Sequence, residues 1–321
     1  MSKHTMRNRI AMPALILLSA LPVAAKAQDF DDERYLTKID TVVAFDAHGT
    51  VDLSLISGQM KVAAWDRQQV KVVASIVNGD GRLHFSAGRS KISLEVETDG
   101  SGRQRHRGSG GDARYEVTVP RGTRLVLEAV SGDILATGVG GEVEAQSVSG
   151  NVDVSDASRD ATLSAVSGSV RAANISGDLH VESVSGDVTV QGAIAEIHAE
   201  SVSGRISLQG IRSSSVRTET VSGSLTYSGS IDAGGRYTFD THSGTVRLNL
   251  PANVGAVFSV QTFSGDIDSD FPVTMQPGQG RGSHDRFEFT IGDGKAKVSA
   301  ESFSGRIIIN RAGGANDRRQ D

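Results

Sequence analysis

One tripeptide constrains this chain more than any other feature. Ser-Gly, preceded by one residue that is usually Val, recurs with its glycines at Gly132, Gly150, Gly168, Gly186, Gly204, Gly223, Gly244, Gly265 and Gly305. The first five are each 18 apart; the next steps are 19, 21 and 21, and the last is 40, which leaves room for one degenerate unit. A fixed period of this size signals a stacked array, not a compact mixed domain. Each unit holds two short alternations. Leu179 and Val181 alternate with His180 and Glu182, then Val188 and Val190 alternate with Asp187 and Thr189. Period-2 patterning rich in Val, Ile and Thr is strand, and Gly punctuates it. No window carries an apolar stripe at helical spacing. The pattern predicts an all-β fold, a parallel β-solenoid (β-helix) with about 18–21 residues per coil. Nine or ten coils at about 4.8 Å give a rod of roughly 45 Å. In such a rod Val152, Val170, Val188 and Ile206 line up one above the next.

The repeat also assigns ladders. Three residues before each Gly stand Ala129, Ser147, Ala165, Ser183, Ser201, Thr220, Thr241, Thr262 and Ser302, all small. They fit a tight corner, with hydroxyls bonded to backbone or to the Ser or Thr one coil away. The next position holds Val130, Val148, Val166, Val184, Val202, Val221, His242, Phe263 and Phe303. Its variable size and polarity suit an outward stripe; the rival register puts it in the core. An outward stripe of this length marks an interaction surface, first of all Val148, Val166, Val184, Val202 and Val221, with Phe263 and Phe303 at its end. Four before each Gly stand Glu128, Gln146, Ser164, Glu182, Glu200, Glu219, Asp240, Gln261 and Glu301, with His180, His198 and Arg217 beside part of that row.

Residues 1–27 read as a secretory signal peptide: Lys3, Arg7 and Arg9, an apolar run from Ile10 to Val23 broken by Pro13 and Pro22, and Ala25-Lys26-Ala27 as the cleavage site. The expected product is exported, periplasmic or secreted and cell-surface associated, with no membrane span after cleavage; the alternative is an uncleaved anchor. Those residues carry four basic and no acidic side chains, so 29 basic face 38 acidic residues in the remainder. That balance argues against nucleic acid, which needs clustered Lys and Arg. No cysteine is present, which excludes disulfides and thiolate chemistry. Residues 28–120 form an N-terminal β region that caps or continues the solenoid, with a mobile loop at 99–114. Residues 121–309 form the regular solenoid, and 310–321 a disordered tail. A second long loop is expected at 271–284.

The VTVP strand at Val117–Pro120, the reiterated V-S-G-D-[VI] units, LNLP at Leu248–Pro251 before QTFSGDI, and the closing SFSGRIII at Ser302–Ile309 together resemble the bacterial "putative adhesin" β-strand-repeat family. More distantly they are similar to auto-transporter adhesin head domains. The resemblance covers about residues 40–309. It implies a β-solenoid and a cell-envelope location, and it brings no catalytic residues with it.

Candidate chemistry is sparse. His180 and His198, one period apart beside Glu182 and Glu200, are the metal candidates, against a solvated face of cross-strand pairs. A calcium ladder needs G-G-x-G-x-D at every turn, and the position after Gly here holds Asp, Asn, Ser, Arg or Thr. No nucleophile elbow and no phosphate cradle is present. Arg103, Arg105, His106 and Arg107 form a basic cluster in the first long loop. The reading is a non-enzymatic exported solenoid, without cofactor, that binds an envelope protein or polysaccharide. The alternatives are a polysaccharide-active β-helix enzyme, with convergent carboxylates in one groove, and an accessory protein of an envelope-stress system.

Overall fold

The computed structural model describes residues 34–77, 81–97, 111–272, 276–277 and 285–312. The proposed signal peptide, most of both long loops with the basic cluster, and residues 313–321 lie outside these. Every regular element among the described residues is a β-strand.

The middle of the rod follows the repeat. First strands Val143–Ser147, Ala161–Ala165, Leu179–Ser183 and Ile197–Ser201 pair in parallel without slip. So do second strands Val152–Ser155, Val170–Ala173, Val188–Gln191 and Ile206–Ile211. Val152, Val170, Val188 and Ile206 stack in register and are fully buried. Alternation is what makes this possible. One face of each strand fills the interior, each buried aliphatic side chain contributing about 1.5–3 kcal/mol, and the other meets solvent. A further interior column, Val139, Ala157, Ile175, Ala193 and Ile211, fills the corner between successive coils.

The glycine repeat has a steric cause. A Cβ on Gly186 would lie 1.9 Å from the carbonyl oxygen of Gly168, and one on Gly168 would lie 1.8 Å from that of Gly150. Only Gly allows the corners to stack this closely.

The ends of the rod depart from the repeat. After Arg236–Ser243 and Val246–Leu250 the chain skips one position and lays Ala256–Ser264 and Ile267–Ser269 farther out. Asp285–Ile291 runs antiparallel along the outer edge of Ala256–Ser264. The last coil, Ala296–Ser304 and Ile307–Arg311, then fills the gap. The long final interval of the repeat therefore holds no degenerate coil. It holds an antiparallel cover strand, and the spatial order of the last three corners is Gly244, Gly305, Gly265.

The N-terminal end is arranged likewise. Thr50–Trp65 lies between Arg124–Thr137 on one side and the pair Lys91–Glu97 and Asp112–Pro120 on the other. Antiparallel strands cover that pair: Gln69–Ile76 on Asp112–Pro120 with Lys38–Ala44 beyond it, and Arg82–Ala87 on Lys91–Glu97 with Arg34–Leu36 beyond it. The parallel stack thus comprises eleven coils among the described residues, about 48 Å at a strand spacing of ~4.8 Å. Asp112–Arg114, expected in the mobile loop, belong to a strand, as do Asn310 and Arg311, expected in the tail. Gln276 and Pro277, expected in the second long loop, form a short strand as well. Each of these segments is held by pairing with another strand of the chain.

Candidate functional site

The small residues three before each Gly are inward and nearly buried, while their two neighbours in the strand point outward. Repeated coil after coil, this makes a groove of about 1220 Å³ along the rod, from Ser54–Ile56 and Val96 at one end to Gln261 and Phe263 at the other. Its floor is the small-residue column. One wall is the Val and Phe stripe, the other the carboxylate row.

The stripe faces outward. Val130, Val148, Val166, Val184, Val202, Val221, Phe263 and Phe303 are 45–52 % exposed. Its spatial order ends His242, Phe303, Phe263, and the three rings stack at 4.9 and 4.7 Å with planes within 8°. The sequence reading missed one member. Ile56-Ser57-Gly58 is a further repeat, with Ser57 and Gly58 in register with Ser131 and Gly132. It lies several periods before Gly132 and carries Leu55 at the small-residue position, so spacing alone does not find it.

Strand pairing orders the opposite wall as Ser54, Glu128, Gln146, Ser164, Glu182, Glu200, Glu219, Asp240, Glu301 and Gln261. Inserting the last coil places Glu301 beside Asp240, so five carboxylates are consecutive. Burial first, and then the charges of Glu301 and Glu219, push the Asp240 carboxyl up to about 6 against the opposing pull of Arg217.

His180 and His198 sit on adjacent strands with rings 4.9 Å apart, edge to face. His198 Nε2 lies 2.8 Å from Glu200 Oε1, and His180 Nε2 lies 3.9 Å from Glu182 Oε2. These are pairs within a strand. Among the described residues no three His, Cys, Asp or Glu converge as a metal site, so the four metal candidates do not assemble one.

The floor changes character along the rod. In the regular coils the Gly150 and Gly186 N–H groups donate to Ser147 Oγ and Ser183 Oγ at 2.9 Å, and these hydroxyls donate to the Gly132 and Gly168 carbonyls at 3.0 Å. In the later coils the strands run on through the corner. Gly223, Gly244 and Gly305 donate instead to the carbonyls of Ser243, Ser304 and Ser264. The hydroxyls of Thr220, Thr241, Thr262 and Ser302 find no partner among the described residues, although these residues are only 3–5 % exposed. The expectation that corner hydroxyls bond to backbone therefore holds for Ser147, Ser183 and Ser201 and fails for these four.

Two solved structures are similar to parts of this chain. A "putative adhesin" from Bacteroides fragilis is 14% identical, with 85% of this chain and 96% of that one covered, at a TM-score of 0.35. A "putative cell adhesion protein" from Clostridium sporogenes is 9% identical, with 85% and 99% covered, at 0.20. Scores this low establish neither fold nor function. No curated protein matches the chain. Residues 89–310 match the family model described as Toastrack DUF4097, and with more than half its length matched the chain belongs to that family.

Proposed function

We propose that this protein is a non-enzymatic binding rod exported to the cell envelope, and that the long groove is its contact surface for an extended partner. One observation carries this reading. An apolar wall and a polar wall stay in register past ten successive coils, so a partner lying along the rod meets the same pair of surfaces at each step. Affinity then accumulates from many weak contacts on a rigid, parallel scaffold. Exposed apolar stripes of this length are unusual on a protein without a partner.

The test is capture from envelope extracts on the immobilised protein. A variant with Val148, Val166, Val184 and Val202 changed to Ser is compared with one altered on the opposite strands, Arg171→Ala/Thr189→Ala. The expected result is a partner lost with the first variant and retained with the second. Equal capture by both, or none by the unaltered protein, overturns the reading.

A second reading, a polysaccharide hydrolase, draws on the raised Asp240 carboxyl beside Glu301. It ranks below the first because both carboxyls project from one wall, whereas glycosidases flank the scissile bond with their pair. Turnover on a glycan panel that disappears in Asp240→Asn would promote it.

A further inference from the structure

The polar wall is uneven. Toward the first coils it is nearly neutral, with Gln146 Nε2 donating to Glu128 Oε1 at 3.1 Å and Ser164 next in line. From Glu182 onward five carboxylates follow one another. The first three each have a basic partner two residues earlier in the same strand: His180, His198 and Arg217. Asp240 and Glu301 have Thr238 and Ser299 there instead, and make no ion pair among the described residues. Like charges on neighbouring strands destabilise each other, and burial first, then that repulsion, raises the Asp240 carboxyl. Below this pair lie the hydroxyls of Thr241 and Ser302, unpartnered among the described residues, and opposite it runs the aromatic end of the stripe.

We propose, building on the groove reading above, that this end of the groove receives an extended polypeptide segment bearing lysine or arginine. The cationic heads lie against Asp240 and Glu301, and the methylene stems lie along the His242–Phe303–Phe263 wall. Long basic side chains carry an apolar stem and a charged head, and the two walls divide in the same way. The charge of the site selects this partner. A second copy of the chain laid on the groove would bring two carboxylate rows together. An amino-sugar polymer fits less well, because the three rings cover one another's faces and offer few platforms for sugar rings.

The probe is a fluorescein-labelled twelve-residue peptide of alternating Lys and Ser, titrated into the purified protein at low ionic strength and followed by anisotropy. Saturable binding is expected. It should weaken about tenfold or more in Asp240→Asn/Glu301→Gln and less than about twofold in Asp153→Asn/Asp178→Asn, which removes the same charge away from the groove. Equal losses in the two double variants, or no binding, overturn the proposal. So do tighter binding of a glucosamine oligomer and a groove-dependent dimer in ultracentrifugation. If the peptide fails while groove-dependent capture from extracts persists, this inference falls alone. If both fail, the groove reading falls with it.

Discussion

Between Val143 and Ile211 each coil hydrogen-bonds to the coil before and the coil after it in sequence, always at the offset of one repeat. From Arg236 onward the neighbours are out of order. Ala296–Ser304 lies between Arg236–Ser243 and Ala256–Ser264, both from well before it in the chain. The N-terminal end repeats the device, with Thr50–Trp65 held between later parts of the chain. In a simple solenoid the terminal coil has one free edge and frays first. Here the first and last coils of the chain each have neighbours on both sides, and antiparallel strands cover Lys91–Glu97, Asp112–Pro120 and Ala256–Ser264 in the outermost ones. The interiors differ too. The middle is filled by Val, Ala, Leu and Ile, whereas Tyr227, Tyr237, Phe239 and Phe258 widen the later coils, where the repeat lengthens. The buried phenols find partners, Tyr227 donating to the Ser230 carbonyl at 2.6 Å and Tyr237 to that of Ser213.

Deletions break or sharpen this contrast most. Removing residues 294–321 strips the inserted coil and leaves Arg236–Ser243 and Ala256–Ser264 facing a gap. Limited proteolysis should then cut throughout 236–293. Removing 161–178, one whole regular coil, should leave a shorter rod with a single cooperative melt. If the two deletions behave alike by proteolysis and circular dichroism, the interleaved end contributes nothing special.

Phe239→Ala should cost about 3–5 kcal/mol in denaturant unfolding, because a fully buried ring packed 5.2 Å from Tyr227 leaves a cavity. Gly186→Ala tests the corner ladder of the middle. Its Cβ meets the backbone oxygen of Gly168, and the expected loss is about 1–3 kcal/mol by the same measurement.

Asp240 gives a smaller effect with a defined pH window. Its carboxyl titrates near 6 in the folded chain against 3.8 ordinarily. Between those values the folded state holds a proton that the unfolded state has released. Stability therefore falls as pH rises through the window. Asp240→Asn should melt above the unaltered protein at neutral pH, and the gap should close below about pH 4. A gap that does not change with pH would show that the burial of this carboxylate and the repulsion in the row are not its source. Smallest of all, Val184→Ser should shift stability by less than about 0.5 kcal/mol, since the side chain is half exposed. A larger loss would mean that the stripe serves the fold and not a partner.

Much of this was legible in the chain. The regular glycine spacing and the strict alternation identify coils, interior columns and groove walls, because a strand's side chains must alternate whatever surrounds them. The same local logic reads Glu182, Glu200 and Glu219 as an evenly spaced surface row. It does not see that Asp240 and Glu301 are neighbours, because Gln261 stands between them in sequence. Nor does it find Ile56-Ser57-Gly58, whose partner corner at Ser131-Gly132 lies beyond four intervening strands. His180 and His198 are correctly adjacent, yet adjacency on flat neighbouring strands leaves each beside its own glutamate and no third ligand within reach.

The sequence by itself determined the kind of coil, its interior and the composition of each groove wall, since these follow from side-chain alternation and from the space a glycine corner allows. Only the tertiary structure decided which coil lies on which, and hence where the acidic wall is continuous and where its hydroxyl floor is unpartnered. The reason is that stacking order is settled by hydrogen bonds between strands far apart in the chain, and every coil offers nearly the same edge to every other.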